Sequence, residues 1–543
     1  MSRLATSAPT TPLGDRLLGI ARRSSPIVDE TLRRYGDRTL SDYLATIAAS
    51  RAPSFQARED LWDTVEAEAT TSCGPEAAAE VVADLRADPI VPTSNHFGID
   101  TAAESVQGTL LFSLRPGRTR RSRTALVLGF GSISMNNDFS YPMGLLLYDP
   151  SQGRLEHLPQ RLPIFPGRVK QRAVCAVEPF DEQMVQRAQA RLRRMAEDGD
   201  VTPFCARAAG EILEEVFAAP ATLGLPSYRR QAAAVNGELW RRIFSDRSHA
   251  GELVQLQIEP ICAALLRRDL GDERSLVHRL FFVDEVRERL LAELDGGRAC
   301  WRRADLEHRL GEPAPGAARG CGTVFFWGLS DSGRRIPLAL EARGSGLVLA
   351  GTSDGGQAWE TEWSAEGILA DLEAGRVLPS LFTCFTVLAF ARGLSCVGGY
   401  YQAEYLPAMK AGIVEALSVA AEHREAAELV AQAPSSICLA ALQWLVRELD
   451  DGSVVPAGPI ELAGMGGLGR SELAAVESVS VREAYLVALT ELFDQLVSGA
   501  DLPDGWVSRL ALENGERRRK RLRAVVTRPP HQSSSRKRIG VPT

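Results

Sequence analysis

Residues 95–114 read NHFGIDTAAESVQGTLLFSL, and residues 124–142 read TALVLGFGSISMNNDFSYP. The second stretch opens as a short apolar run, with β-branched Val127, and then turns abruptly to Gly, Ser and Asn. That is the pattern of a buried strand ending in a polar loop, which is where sheets keep their ligand groups. In the first stretch a polar cluster precedes Val106, Leu110 and Leu114, which recur at helical spacing. Thr101-Ala-Ala-Glu104 has the form of a capping box, so a helix is expected over 102–114. The two stretches together predict a polar site at the end of a hydrophobic sheet.

Outward from this core the chain is mostly helical. Apolar residues recur with helical period over 13–88, where Pro75 suits a first helical turn. Gly144 to Tyr148 reads as a strand, and 153–178 keeps β character. Residues 180–245 are amphipathic helices broken at Pro203 and between Pro220 and Pro226. Residues 253–258, LVQLQI, fit strand or helix. After the Pro/Gly/Ala-rich linker at 311–320, three runs at 322–329, 336–341 and 346–351 predict antiparallel strands. Residues 379–394 are apolar nearly all round and predict a buried central helix. Further helices are expected over 408–450 and 471–499.

The expected fold is therefore mixed α/β (α+β) and helix-dominated, with two short β regions. Its organisation reads as a loose N-terminus at 1–12, a helical lead-in at 13–90, a first α/β lobe with a helical insert at 91–310, a second lobe at 321–515 and a disordered basic tail at 516–543.

The net charge is −7, yet the last 28 residues carry ten Arg/Lys against one Glu. The remaining body is thus strongly acidic, unlike a duplex-DNA binder. Nine cysteines are dispersed without a C-x-x-C pair, which argues for reduced thiols in a cytoplasmic protein and against a zinc ribbon. No apolar run reaches transmembrane length, and the N-terminus lacks a signal-peptide layout. The seven histidines never fall three or four apart, so no metal site is expected. Gly464, Gly466 and Gly469 match G-x-G-x-x-G without the surrounding βαβ pattern, so a flexible linker is the better reading. No cofactor is implied.

Three constellations carry candidate chemistry. His96 sits just outside a helix N-terminus, where the positive dipole end disfavours imidazolium. It is either a capped structural residue or a neutral base. Beyond the strand, Asn136 and Asn137 could hold an oxyanion, and Glu259 or Asp100 could orient His96. These make His96, Asn136, Asn137 and Glu259 the catalytic candidates. Asn95, Asp100, Ser132, Ser140 and Tyr141 are the substrate-binding candidates beside them. Downstream, Gly398, Gly399, Tyr400, Gln402 and Tyr405 form a diglycine–tyrosine corner, either a second part of the site or a packed helix corner. The basic loop with Arg118, Arg120, Arg121 and Arg123, and the run Arg517, Arg518, Arg519 and Lys520, could meet phosphate or be solvated charge.

This set suits acyl-type transfer to a small amine, hydroxylamine or hydroxyl acceptor. A hydrolase or lyase acting on a small amide or ester, and a non-enzymatic scaffold, remain open. The runs NHFGID, GFGSISMNNDFSYP and CVGGYYQAEYLP resemble those of bacterial proteins near natural-product clusters, the valanimycin-type aminoacyl-tRNA-dependent transferases. The resemblance would cover much of 90–420 and implies a charged tRNA as acyl donor. It carries no residue-by-residue catalytic role.

Overall fold

The computed structural model describes residues 11–48, 58–93, 95–115, 124–156, 158–246, 251–306, 322–353, 355–439, 441–497, 502, 504–520 and 525–527. Helix outweighs strand, 54% against 17%, and the strands lie in small separate sheets, giving a helix-dominated mixed α/β fold.

At its centre the expected strand forms as Thr124–Gly129, with every side chain buried. The ambiguous LVQLQI run becomes its parallel partner, Glu252–Gln257, with Leu126 opposite Val254 and Leu128 opposite Leu256. A parallel pair needs cover on both faces. Leu126 and Leu128 join a cluster with Leu61, Val65, Val81 and Leu265, while Ala125 joins another with Leu110 and Trp240. Ile90–Pro92 runs parallel to Ser395–Val397. Between these pairs His96 bridges Phe130, also in parallel, and the Phe97 N–H donates to the Phe130 carbonyl at 3.0 Å. The segments therefore run in one sense, and the loops leaving their C-terminal ends meet.

Several elements differ from the sequence expectation. The lead-in divides between two cores: Leu17, Leu18 and Leu32 pack with Leu489 of the helix Val481–Leu496, whereas Leu61 and Val81 cover the central strands. The central helix is α-helical only over Leu381–Phe385 and continues as a π-helix, Thr386–Ala391, buried throughout. Within the stretch read as helix over 408–450, Leu445–Glu448 is a strand, paired antiparallel with Val454–Pro456 just beyond it. Four-residue strands with a charged end carry too little periodicity to be told from helix. The second β region is two three-stranded antiparallel sheets. One has Phe326–Leu329 between Val377–Pro379 and Arg335–Pro337; the other has Gly346–Thr352 between Ala339–Arg343 and Ala358–Glu362. At the basic tail, helix Trp506–Lys520 runs past residue 516, and Val525–Thr527 pairs with the 445–447 segment.

A buried ion cluster ties these layers. The Arg392 guanidinium, fully buried, donates to Asp269 at 2.9 and 2.8 Å and to Asp60 at 3.0 and 2.6 Å. Among the described residues no helix is long and apolar enough to cross a membrane, and no group of three or more His, Cys, Asp and Glu could hold a metal.

Candidate active site

Where the C-terminal ends of the strand segments meet, three apolar clusters abut without filling the space. Phe130 and Cys300 come from one, Tyr400 from the second and Ala102 from the third. The remaining cavity has a volume of about 290 Å³. The candidates His96, Ser132, Ser140, Gly399, Tyr400, Gln402 and Tyr405 all line it.

His96 is carried in by its bridge to Phe130, and its Nδ1 lies 3.0 Å from the Ser140 Oγ. Ser140 is buried and is placed by Asn137, whose side-chain oxygen accepts from the N–H groups of Phe139 at 3.0 Å and Ser140 at 3.3 Å. Burial pushes the His96 imidazole down to about 4; the Asn137 side chain pulls the other way, and the Arg335 charge adds to the depression. The ring is neutral at pH 7. Its weak basicity comes from desolvation.

Other candidates stand elsewhere. Glu259 does not orient His96. Its carboxylate accepts from the N–H groups of Gly131 at 3.0 Å and Ser132 at 2.6 Å, so it fixes the loop after the strand. Asp100 is also turned away: it holds Asn95 at 3.1 Å and Ser105 at 2.5 Å, and both Asn95 and Asp100 line a separate small cavity of about 30 Å³. Asn136 is absent from the cavity wall, and its backbone N–H donates to the Lys170 carbonyl. The Asn137 oxygen accepts from its own turn, and neither amide residue is among those lining the cavity. Tyr141 lies off the wall with the Arg161 guanidinium 5.1 Å from its ring centre. Gly398 stands just behind the wall, where a Cβ would collide with the Gln402 side chain. Gln402 in turn exchanges hydrogen bonds with Thr93 and donates to the Cys396 carbonyl at 3.2 Å.

The basic stretches add little to the described site. Arg118, Arg120, Arg121 and Arg123 lie outside the described residues. Arg517 spends its charge on Asp15 at 2.9 Å and Glu513 at 2.8 Å. Arg518, Arg519 and Lys520 end the same helix.

Two wall residues escaped the sequence reading. The sequence predicts a capping box at Glu104, but the box does not form. The Thr101 Oγ accepts instead from the Leu146 N–H at 2.8 Å, and the helix begins at Ala103 with no side-chain cap. Glu104 is thereby free to face the cavity. Burial, with Glu491 and Asp100 nearby, raises its carboxyl well above the ordinary range. Arg335 follows a Ser-Gly turn that reads as solvent-facing, yet it sits half-buried in the wall, its guanidinium 4.4 Å from the centre of the Trp327 ring. Among the described residues neither Glu104 nor Arg335 has a side-chain hydrogen bond or ion pair.

Thiol chemistry does not fit this wall. Burial pushes Cys300, which lines it, up to about 12, and Cys396 behind it to about 12 as well. The first turn of helix Tyr400–Leu417 also faces the cavity, and its N-cap residue is Gly399, which has no side chain to cap it. No known protein family, curated protein or solved structure matches this chain.

Proposed function

We propose that this chain is a cytoplasmic enzyme of acyl-type group transfer, acting on a small polar acceptor inside the 290 Å³ cavity. The observation that carries the reading is the neutral imidazole of His96, 3.0 Å from the Ser140 Oγ, with both side chains on the cavity wall. A neutral imidazole can take the hydroxyl proton as Ser140 attacks an acyl carbonyl, and return it to the departing group. The acyl group is then held on Ser140 until the acceptor attacks it, with His96 again the base. The positive end of the 18-residue helix Tyr400–Leu417, which lies on the same wall, would favour the negative charge of the oxyanion.

An aminoacyl-tRNA donor is compatible with this scheme through its acyl end alone. The cavity would take an aminoacyl-sized group and leave the polynucleotide outside, and the basic runs 116–123 and 518–520 are the candidate phosphate contacts by their sequence.

The test is covalent trapping. Incubation with a fluorophosphonate probe and with activated esters, followed by peptide mass mapping, should give one adduct at Ser140. Ser140→Ala should abolish it, and His96→Ala should slow it by about a hundredfold or more. Absence of an adduct, or an unchanged rate in His96→Ala, would sink the reading. Rapid release of the acyl group to water without an acceptor would reassign the enzyme as a hydrolase.

A further inference from the structure

The cavity wall carries one acidic and one basic side chain, Glu104 and Arg335, that the His96–Ser140 pair does not use. Each is costly to hold there. An ionised side chain drawn out of bulk water without a partner loses solvation and gains nothing in return. Glu104 and Arg335 are both in this position, and they occupy different neighbourhoods. Glu104 stands near Asp100, Glu491 and Tyr400. Arg335 stands near Glu259, Cys175 and His96. The two sets share no member, so Glu104 and Arg335 stand in different parts of the wall, an acidic one and a basic one, with His96 in the neighbourhood of Arg335.

The surroundings of each part match its charge. Glu104 and Phe139 also line a second hollow of about 500 Å³, together with Asp138, Arg161 and Glu491. Arg161 is paired with Asp138 at 3.1 Å, which leaves Glu104 and Glu491 as the acidic groups of that hollow without a cation. A cationic group arriving there would favour their ionised forms. In the other part, the Trp327 ring supports the Arg335 guanidinium on its face. A guanidinium so stacked keeps its N–H edges for a planar anion, and the carboxylate matches that fork.

We propose that the cavity takes a dipolar ligand, with an ammonium group on the Glu104 carboxylate and a carboxylate on the Arg335 guanidinium. Its class is the ω-amino acids and short peptides, whose charges stand apart, rather than a single fatty or aromatic acid. The inference rests on this cavity being the substrate site, but not on acyl chemistry taking place there.

The experiment is equilibrium binding by calorimetry to the full-length protein, with a homologous series of ω-amino acids and the alkylamine and alkanoate of equal length. The best ω-amino acid should bind about tenfold or more tightly than either singly charged analogue. Glu104→Gln should erase the advantage conferred by the ammonium, and Arg335→Gln that conferred by the carboxylate, with circular dichroism showing that both variants fold. An alkanoate that binds as well as the ω-amino acid, or an ammonium advantage that survives in Glu104→Gln, overturns the proposal. Ser140 trapping without dipolar preference removes this inference and leaves the acyl reading standing. Dipolar binding without trapping does the reverse.

Discussion

The depressed basicity of His96 is the sharpest consequence of the site. Moving an imidazole from its ordinary 6.5 to about 4 corresponds to about 3 kcal/mol in favour of the neutral ring. The sign follows from linkage. The unfolded chain takes up a proton at this ring as pH falls below 6.5, while the folded chain resists until about 4. The contribution is thus fully present above 6.5 and is lost as pH falls through that window to about 4. Hydrogen–deuterium exchange at the imidazole C2 position, followed by mass spectrometry, reports the titration of each histidine separately. His96 should titrate near 4, and Arg335→Gln should move it upward by removing a neighbouring positive charge. The stability advantage of the wild type over His96→Gln should shrink by about 3 kcal/mol between pH 7 and pH 4. A His96 midpoint close to 6.5, or an advantage that does not vary with pH, would refute a buried neutral ring and remove the base from the proposed reaction.

Three further outcomes are expected. Glu104→Gln should stabilise the ligand-free protein, with a gain in melting temperature that grows from pH 5 to pH 8. A carboxyl raised on folding contributes stability that is complete below its unfolded value of 4.5 and is lost as pH rises through its folded value. Arg392→Met should cost about 3–5 kcal/mol in urea unfolding, because Asp269 is left buried without its cation. Thr101→Val should cost about 1–3 kcal/mol by leaving the buried Leu146 N–H unpaired, and should leave the helical content of the 103–113 segment unchanged. A capping role for Thr101 would instead fray that helix.

Much of the fold was legible because short apolar runs and helical periods are local properties. The strand at 124–129, the polar loop that follows it and the amphipathic helices of 180–245 all follow from residues read in order. The cavity residues that were found, His96, Ser140, Tyr400 and Gln402, were found because polar groups beside Gly and strand ends are locally unusual. Asn137 and Glu259 stand out in the sequence, but the turns they hold do not. A side chain's chemistry declares what it can bond, and only its neighbours decide which bond it makes. Asn137 met the N–H groups of its own turn, and Glu259 met those of the 131–132 loop.

What the sequence by itself determined is a helix-rich α/β chain with a polar loop at the end of a buried strand. The tertiary structure alone decided that Thr101 would turn to Leu146 and release Glu104, and that Arg335 would reach a cavity 239 positions downstream of His96. Neither event leaves a local trace. Hydrophobic burial brings segments together without regard to their separation along the chain, so a charge that reads as solvated can end inside a wall built by residues hundreds of positions away.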